Sequence, residues 1–440
     1  MKISIIGTGY VGLTEGLCFA DLGHDVVCYD IIQDKIEKLQ SGIPTLYEEG
    51  LEDMLKRNLA NQKIKFTSDL KEAVKDIEAV FICVNTPENQ KDGSADLSAI
   101  ISSTQAVAEA VNKDKNFVLV IKSTVPVGTN MMIKNNILKN NKDIKFLIAS
   151  NPEFSRQGSA IVDFLNPDRI IVGVESDETK EIMANIYKPL TDKGFPILFT
   201  TIPTAELIKY ASNTFLAVKI AFINEMADIC EKTGADVSEI AKAMGMDKRI
   251  SPYFLNAGPG IGGSCFPKDS IALVKIGNNL GLDMELINAA VESNKKRKKR
   301  MADKVIEASA YSLKGKKVAL LGLAFKANTD DTRYSPSLSI IRQLAKKNIT
   351  INAYDPKGIE NSKSKLENKY LKKVSFFDDP YEAIKNSEIL VIATEWEEFK
   401  KLDYNKIYDS LKQKTIIDLR NILNADEIKK IGYKYISIGK

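Results

Sequence analysis

At 440 residues the chain is too long for one ordinary core and predicts two to four domains at roughly 150 residues each. Its composition, 44% hydrophobic and 27% charged, is that of a folded globular protein and excludes global disorder. Lysine plus arginine exceed aspartate plus glutamate by only four, 62 against 58, so charge gives no strong pull toward nucleic acid or a membrane surface.

In chain order, β-branched runs at residues 3–6, 25–29, 79–84, 117–121 and 146–149 alternate with helical patterns and predict a parallel α/β sheet. After residues 196–200, apolar positions recur at three and four from residue 203 to about 231, with Gly234 as a stop, and predict one long helix. Residues 234–311 stay helical apart from the loop AGPGIGGSCFPKD. Strand alternation resumes at 317–321, 350–354, 389–393 and 415–418. The fold class expected is therefore α/β, with two doubly wound Rossmann-like domains, residues 1–200 and 312–440, joined by the long helix and a helical middle domain, 201–311. No apolar run reaches the roughly 18 to 20 residues that span a bilayer, and the opening MKISIIGTGYVG is read as structure and not as a signal peptide. The basic run NKKRKKR, residues 294–300, lacks interleaved aromatics and is read as a solvated helix face.

Gly7, Gly9 and Gly12 form GTGYVG directly after the first strand and ahead of a helix. The second strand ends at Asp30, eighteen residues past Gly12, where a carboxylate can bind the adenosine ribose. Gly7 permits the tight turn, Gly9 lets the backbone approach a pyrophosphate, and Gly12 allows close helix packing; the helix amino end then favours the phosphates. Asp30 would repel a 2′-phosphate, so NAD is expected and not NADP. Lys35 either borders the adenosine or faces solvent. Two more strands open on the same carboxyl edge at CVNTP and KSTVPVGT, where Thr86 and Thr124 either serve the nicotinamide side and a reaction-site water or only cap the chain.

The five cysteines are scattered and odd in number, which indicates neither a disulfide framework nor a zinc site and suits a reducing cytoplasm. With His24 the one histidine, acids and bases must come from carboxylates, lysines and thiols. Cys265 follows a glycine loop and precedes Pro267, a favourable first helical position, so it sits at a helix amino end where dipole and amides favour a thiolate. Lys268 adds charge, and Asp269, one turn on, can act as acceptor or water-activating base. Lys209 and Asn213 share a face of the long helix and suit a developing oxyanion. Glu153, in NPEF after a strand, offers a carboxylate.

GTGYVG, DGSADLS, STVPVGT, NPEF, AELIKYASNTFLAVKIAFINE, GGSCFPKD, FKANTDDTR, TEW and DLRN occur in this order almost end to end. In them the chain resembles the UDP-glucose 6-dehydrogenases of the UDP-glucose/GDP-mannose dehydrogenase family. The resemblance implies oxidation of a nucleotide sugar's primary alcohol to a carboxylate with two NAD+ and one water, through a thiohemiacetal and thioester on Cys265. It implies Lys209 and Asn213 at the oxyanions, Asp269 and Thr124 in proton movement, and Glu153 in hydrolysis. NAD would meet Gly7, Gly9, Val11, Gly12, Asp30, Lys35, Thr86, Thr124, Glu153, Lys268 and Arg333. The UDP-sugar would meet Glu153, Lys209, Asn213, Phe254, Leu255, Asn256, Ala257, Gly258, Gly262 and Lys326, and Arg249 would reach a neighbouring subunit's substrate in a homodimer or larger assembly. The last α/β domain lacks GxGxxG, having only Gly322 and Ala324 there, and is expected to hold the uridine nucleotide. Gln157 stands where several members carry a second glutamate, which shifts hydrolysis to Glu153 or Asp269. Expected partners are UDP-glucose or a related nucleotide sugar and further copies of the chain, with no nucleic acid and no membrane. UDP-N-acetylmannosamine or GDP-mannose is the same-fold alternative substrate. An NAD-binding regulatory or nucleic-acid-binding protein is the alternative of another class, and it leaves the thiol loop unexplained.

Overall fold

The computed structural model describes residues 1–89, 91–112 and 116–440, and the chain divides into two compact units, residues 1–212 and 213–440. The first holds eight strands, β1 (Lys2–Ile6), β2 (Asp25–Tyr29), β3 (Ile64–Thr67), β4 (Ala79–Ile82), β5 (Phe117–Ile121), β6 (Phe146–Ser150), β7 (Ile170–Val174) and β8 (Ile197–Thr200). Their order is β3-β2-β1-β4-β5-β6-β7-β8, with the reversal between β1 and β4 that places ligands at the carboxyl edge of a doubly wound sheet. Alternate residues of β1 serve opposite faces: Ile3 and Ile5 join Leu13, Leu17 and Phe19, while Ile6 joins Ile100 and Ile133. Helices on both faces explain why these strands read as apolar runs.

This sheet departs from the all-parallel expectation, because β7 runs antiparallel to β6. The intervening chain, residues 151–169, carries the helix Ala160–Leu165 and begins and ends at the same edge of the sheet, as an antiparallel connection does. The segment after β6, with NPEF, is thereby kept at the carboxyl edge. Strands β3 and β7 were not expected from the sequence.

The long helix runs Ile202–Thr233, and the division between the units falls inside it. Beyond Asn213 the second unit continues through helices Val237–Gly245, Phe266–Asn279 and Glu285–Glu307. It then forms β9 (Lys317–Leu321), β10 (Thr350–Tyr354), β11 (Val374–Phe376), β12 (Leu390–Ile392), β13 (Thr415–Asp418) and β14 (Lys434–Ile436). All pair parallel in the order β11-β10-β9-β12-β13-β14. Ile223, Val237, Met301 and Val305 from the helices share one core with Val318, Leu338 and Ile417 from the sheet region, so these helices are not an independent body. No helix among the described residues is long and apolar enough to cross a membrane.

Candidate active site

In the first unit, the turn after β1 is one that only glycine can make in two places. Gly7 has φ +96°, and a Cβ on Gly12 would lie 1.9 Å from the Gly7 carbonyl oxygen. Gly9, by contrast, has no side-chain role in packing: a Cβ there would meet only Asn85 Oδ1, at 3.9 Å. Gly9 also precedes helix Tyr10–Asp21 without any side-chain cap, which leaves the amino end to an anionic ligand. This cradle fits a dinucleotide pyrophosphate.

Asp30, at the end of β2, is buried and accepts from the Thr8 amide at 2.9 Å, the Thr8 hydroxyl at 2.7 Å, the Lys35 ammonium at 2.9 Å and the Ile32 amide at 3.1 Å. Burial pushes its carboxyl up, but the Thr8 and Lys35 hydrogen bonds outweigh it and hold the group below the usual carboxylate range. Asp30 therefore stays ionised, and Lys35 is fixed beside it. Ile31 and Ile32 follow on the surface, both largely exposed. The sequence reading passed over these two exposed apolar side chains beside the Asp30 carboxylate.

Thr86 and Thr124 are drawn together across two strand ends, the Thr86 hydroxyl donating to the Thr124 carbonyl at 2.9 Å. Ser123 ties the same loops through the Val84 carbonyl at 2.6 Å. Glu153 and Lys209, 56 residues apart, also meet. The Lys209 ammonium lies 3.2 Å from Glu153 Oε1 and donates to the Glu153 carbonyl, while Ser155 donates to Oε2 at 2.9 Å. Burial raises the Glu153 pKa, yet Lys209 and Ser155 outweigh it and hold the carboxyl low. Phe154 is flanked by two cations, Arg169 at 4.0 Å and Lys209 at 5.0 Å from the ring centre. The loop through Gln157 is held by a residue the sequence reading missed. Glu48 accepts from the Gly158 and Ala160 amides at 2.7 Å each and from the Tyr10 hydroxyl.

In the second unit, Cys265 is the exposed cysteine; the other four are buried. It occupies the N-cap of helix Phe266–Asn279, with Pro267 in the first turn. Asp269 donates its amide to the Cys265 carbonyl at 2.8 Å, and its carboxylate, 1% exposed, lies 2.7 Å from Asn213 Nδ2 and 2.8 Å from the Lys268 ammonium. Three residues named from the sequence, Asn213, Lys268 and Asp269, thus meet in one cluster at the first turn of the helix that Cys265 caps. The glycines before it are close contacts: a Cβ on Gly262 would meet Phe325 Cβ at 2.7 Å, and one on Gly263, φ +84°, the Phe325 ring at 2.8 Å. The Gly263 amide also donates to the Arg333 carbonyl at 2.8 Å. Arg333 forms a two-pronged pair with Asp331. Lys326 lies over Phe325, 5.7 Å from the ring centre.

Of the FLNAG segment, Phe254 takes φ +63° and packs 5.8 Å from the Phe266 ring. Leu255 and Ala257 turn their side chains into the core, so a ligand can use only their backbone; Asn256 is exposed. The Gly258 amide donates to Asn224 Oδ1 at 2.8 Å. Arg249 is solvent-exposed and forks onto Asp247 two residues back. One expectation is overturned here. The basic run is not wholly a solvated face, for Arg297 is 1% exposed and binds the Gly258 carbonyl at 3.0 Å, the Asn224 carbonyl at 3.1 Å and Asp228. Asn294 and Lys298, on the same side of helix Glu285–Glu307, hold Ile261 and the Tyr334 carbonyl. A guanidinium can be buried when its donors meet carbonyls and a carboxylate.

Models of the UDP-glucose/GDP-mannose dehydrogenase family match three stretches: the NAD binding domain over residues 1–191, the central domain over 203–296 and the UDP binding domain over 319–425. The chain is 45% identical to a UDP-glucose 6-dehydrogenase of Rhizobium meliloti over the full length of both chains. Among solved structures it is similar to a UDP-glucose dehydrogenase from Pyrobaculum islandicum, with TM-score 0.90, 36% identity and coverage of 99% of this chain and 96% of that one. A UDP-D-ManNAc dehydrogenase from Pyrococcus horikoshii follows, with TM-score 0.87, 29% identity and coverage of 100% and 99%.

Proposed function

Because the chain belongs to the UDP-glucose/GDP-mannose dehydrogenase family, we propose that it oxidises the primary alcohol of UDP-glucose to the carboxylate of UDP-glucuronate. It is an enzyme of the NAD-dependent dehydrogenases. The observation that carries the finer reading is the exposed Cys265 at the N-cap of its helix, beside the cluster of Asp269, Asn213 and Lys268. A two-electron alcohol dehydrogenase has no use for such a thiol.

NAD+, held by Gly7, Gly9, Gly12 and Asp30 with Val11, Lys35, Thr86, Lys268 and Arg333 completing its contacts, supplies the hydride acceptor for each of two oxidations. Thr124 and a water relay the proton of the sugar alcohol to solvent as the aldehyde forms, with Asp269 assisting. The Cys265 thiolate adds to the aldehyde carbon, making the S–C bond of a thiohemiacetal, and Lys209 and Asn213 stabilise the oxyanion. After the second oxidation the carbon is a thioester. Water attacks it, the C–S bond breaks, and the thiolate leaves the carboxylate product. Glu153 is the base for that water, because Gln157 carries an amide and cannot accept the proton, while Asp269 steadies Asn213 and Lys268 or assists the transfer. Covalent capture keeps the reactive aldehyde from escaping.

Residues 1–200 are assigned to NAD, 201–311 to the thiol and to assembly, and 312–440 to the UDP moiety. Phe254 to Gly258, Gly262 and Lys326 contact the UDP-sugar. Arg249 acts on the substrate of a second copy, which its exposure allows. Homo-oligomerisation is supported by the long helix, where Phe215, Phe222 and Ile229 stand exposed at 64%, 44% and 53%. Their seven-residue spacing makes one apolar stripe that another copy would cover. The reaction belongs in the cytoplasm, where reducing conditions keep Cys265 a thiol.

The 45% relative acts on UDP-glucose by its name, and the 29% structure on UDP-D-ManNAc; the higher identity favours UDP-glucose. Counting NADH formed per nucleotide sugar over a panel tests the reading. Two per UDP-glucose supports it; inactivity on UDP-glucose with turnover of another sugar nucleotide removes it.

A further inference from the structure

Glu206 lies on the long helix one turn before Lys209, and no step of the reaction uses it. Its carboxylate, 2% exposed, accepts from the Gly128 amide at 2.6 Å, the Asn130 amide at 2.9 Å and Asn130 Nδ2 at 2.7 Å. Those donors form the amino end of helix Thr129–Asn140, whose N-cap, Gly128 with φ +91°, brings no side chain of its own. A cap is ordinarily a local Ser, Thr, Asp or Asn. Here the acceptor comes from another helix, 76 residues away in sequence, and its negative charge faces the positive end of the helix dipole.

The loop so held is the one carrying Thr124. Its first end is fixed by the bond from Thr86 to the Thr124 carbonyl at 2.9 Å, and Val125 is buried within it. Its far end is held by the Glu206 cap and by a local turn in which the Thr129 hydroxyl and amide donate to the Pro126 carbonyl at 2.6 and 3.1 Å. One turn further along the helix, Lys209 binds Glu153. A single turn of helix therefore grips both the Thr124 loop and the Glu153 loop.

From this juxtaposition we infer that Glu206 is a positioning residue, setting Thr124 against Lys209 and Glu153 by capping the helix that follows it. The inference rests on the assignment of Thr124 to proton movement. Ordinary stabilisation of a helix end would affect folding and every kinetic constant together; positioning acts through Thr124 alone.

The test is a double-mutant cycle on the full-length enzyme. Glu206→Gln keeps the size but turns an amide donor toward the donors of Gly128 or Asn130. It is expected to lower kcat by about tenfold or more, since small misplacements of a reacting group have large kinetic effects, while KM for UDP-glucose and NAD binding stay within about twofold. Combined with Thr124→Ala, it should change kcat by less than about twofold. Asn130→Ala removes one of the three bonds and should show a smaller loss that also vanishes beside Thr124→Ala; it stands in if Glu206→Gln does not fold. Wild-type turnover by Thr124→Ala overturns the role given to Thr124 in the reaction. An impaired Thr124→Ala to which the Glu206 or Asn130 substitution adds its full separate loss, or no loss from either substitution alone, overturns the inference about Glu206.

Discussion

The Lys209 ammonium sits 3.2 Å from the Glu153 carboxylate and also donates to the Glu153 carbonyl, so one buried cation fixes the place and the charge of one largely enclosed anion. Burial alone would raise the Glu153 pKa above its ordinary 4.5; Lys209 is the largest influence bringing it below. Lys209→Met leaves burial without that opposition, so the pKa must rise. The expected outcome is a fall in kcat of about 10²- to 10³-fold together with an acid limb of the kcat–pH profile displaced toward neutrality. Lys209→Arg should keep the limb near its wild-type position. The stability effect has the matching sign: the ionised Glu153 stabilises the fold above its ordinary pKa, and that contribution is lost as pH falls through the lowered folded value. An acid limb identical in wild type and Lys209→Met would detach Glu153 from the water-activating role.

The glycines of the cradle separate folding from binding. Gly12→Ala places a methyl 1.9 Å from the Gly7 carbonyl oxygen, so the turn itself must shift; a loss of about 1–3 kcal/mol in stability is expected, with NAD affinity lost as well. Gly9→Ala meets no protein atom closer than 3.9 Å, so it should melt like the wild type without NAD yet show a much smaller rise in melting temperature when NAD is added. Thermal melts with and without NAD check both. Equal NAD stabilisation of Gly9→Ala and wild type would mean that the pyrophosphate does not approach this backbone.

What the sequence made legible was local. GTGYVG, its strand and Asp30 lie within thirty residues, and the glycine loop, Cys265 and Pro267 are contiguous, so turn and helix-end chemistry could be read directly. Pairs across the chain were not legible: Lys209 with Glu153, Asn213 with Asp269, and Glu48 with Gly158, 110 residues apart. No spacing rule links residues on different elements; the topology does. Arg297 was misread for a related reason. A run of charge is uniform in sequence, but a helix distributes it by angle, turning Asn294, Arg297 and Met301 inward while Lys295, Lys296 and Lys299 meet solvent.

Cys265→Ser tests the covalent step. A hydroxyl is far less ionised than a thiol near neutral pH, so overall turnover should fall by at least about 10³-fold, the scale on which loss of a nucleophile is felt. NAD binding should be unchanged, because the substitution replaces only the sulfur and leaves Gly7, Gly9, Gly12 and Asp30, and the side chains of Lys268 and Arg333, as they are. Steady-state turnover near the wild-type rate would end the thioester scheme.

Phe222→Asp places a charge in the middle of the exposed stripe formed with Phe215 and Ile229. Burying an unpaired carboxylate in an apolar interface is strongly unfavourable, so the variant should sediment as a monomer at concentrations where the proposed wild-type oligomer is intact. Since Arg249 is assigned to a neighbour's substrate, the monomer should also lose activity, with KM for UDP-glucose raised. A wild-type protein that sediments as a monomer would remove the stripe as an interface and Arg249 from the site.

Arg297 joins three segments that are distant in sequence: the long helix through Asn224 and Asp228, the FLNAG segment through Gly258, and its own helix. Arg297→Lys replaces a planar fork by a point charge that cannot serve all of these acceptors at once. Asp228 keeps Arg300 at 2.7 Å, so its charge is not orphaned, but buried carbonyls of Gly258 and Asn224 lose donors at about 1–3 kcal/mol each. A fall in melting temperature of several degrees is expected for a unit of this size. The kinetic consequence should be selective. Gly258 belongs to the segment assigned to the UDP-sugar, whereas the NAD cradle lies in the first unit. KM for UDP-glucose should therefore rise while the dissociation constant for NAD, measured by calorimetry, stays at the wild-type value. A variant that loses stability but keeps the wild-type KM would show that Arg297 supports the fold and leaves the substrate segment undisturbed.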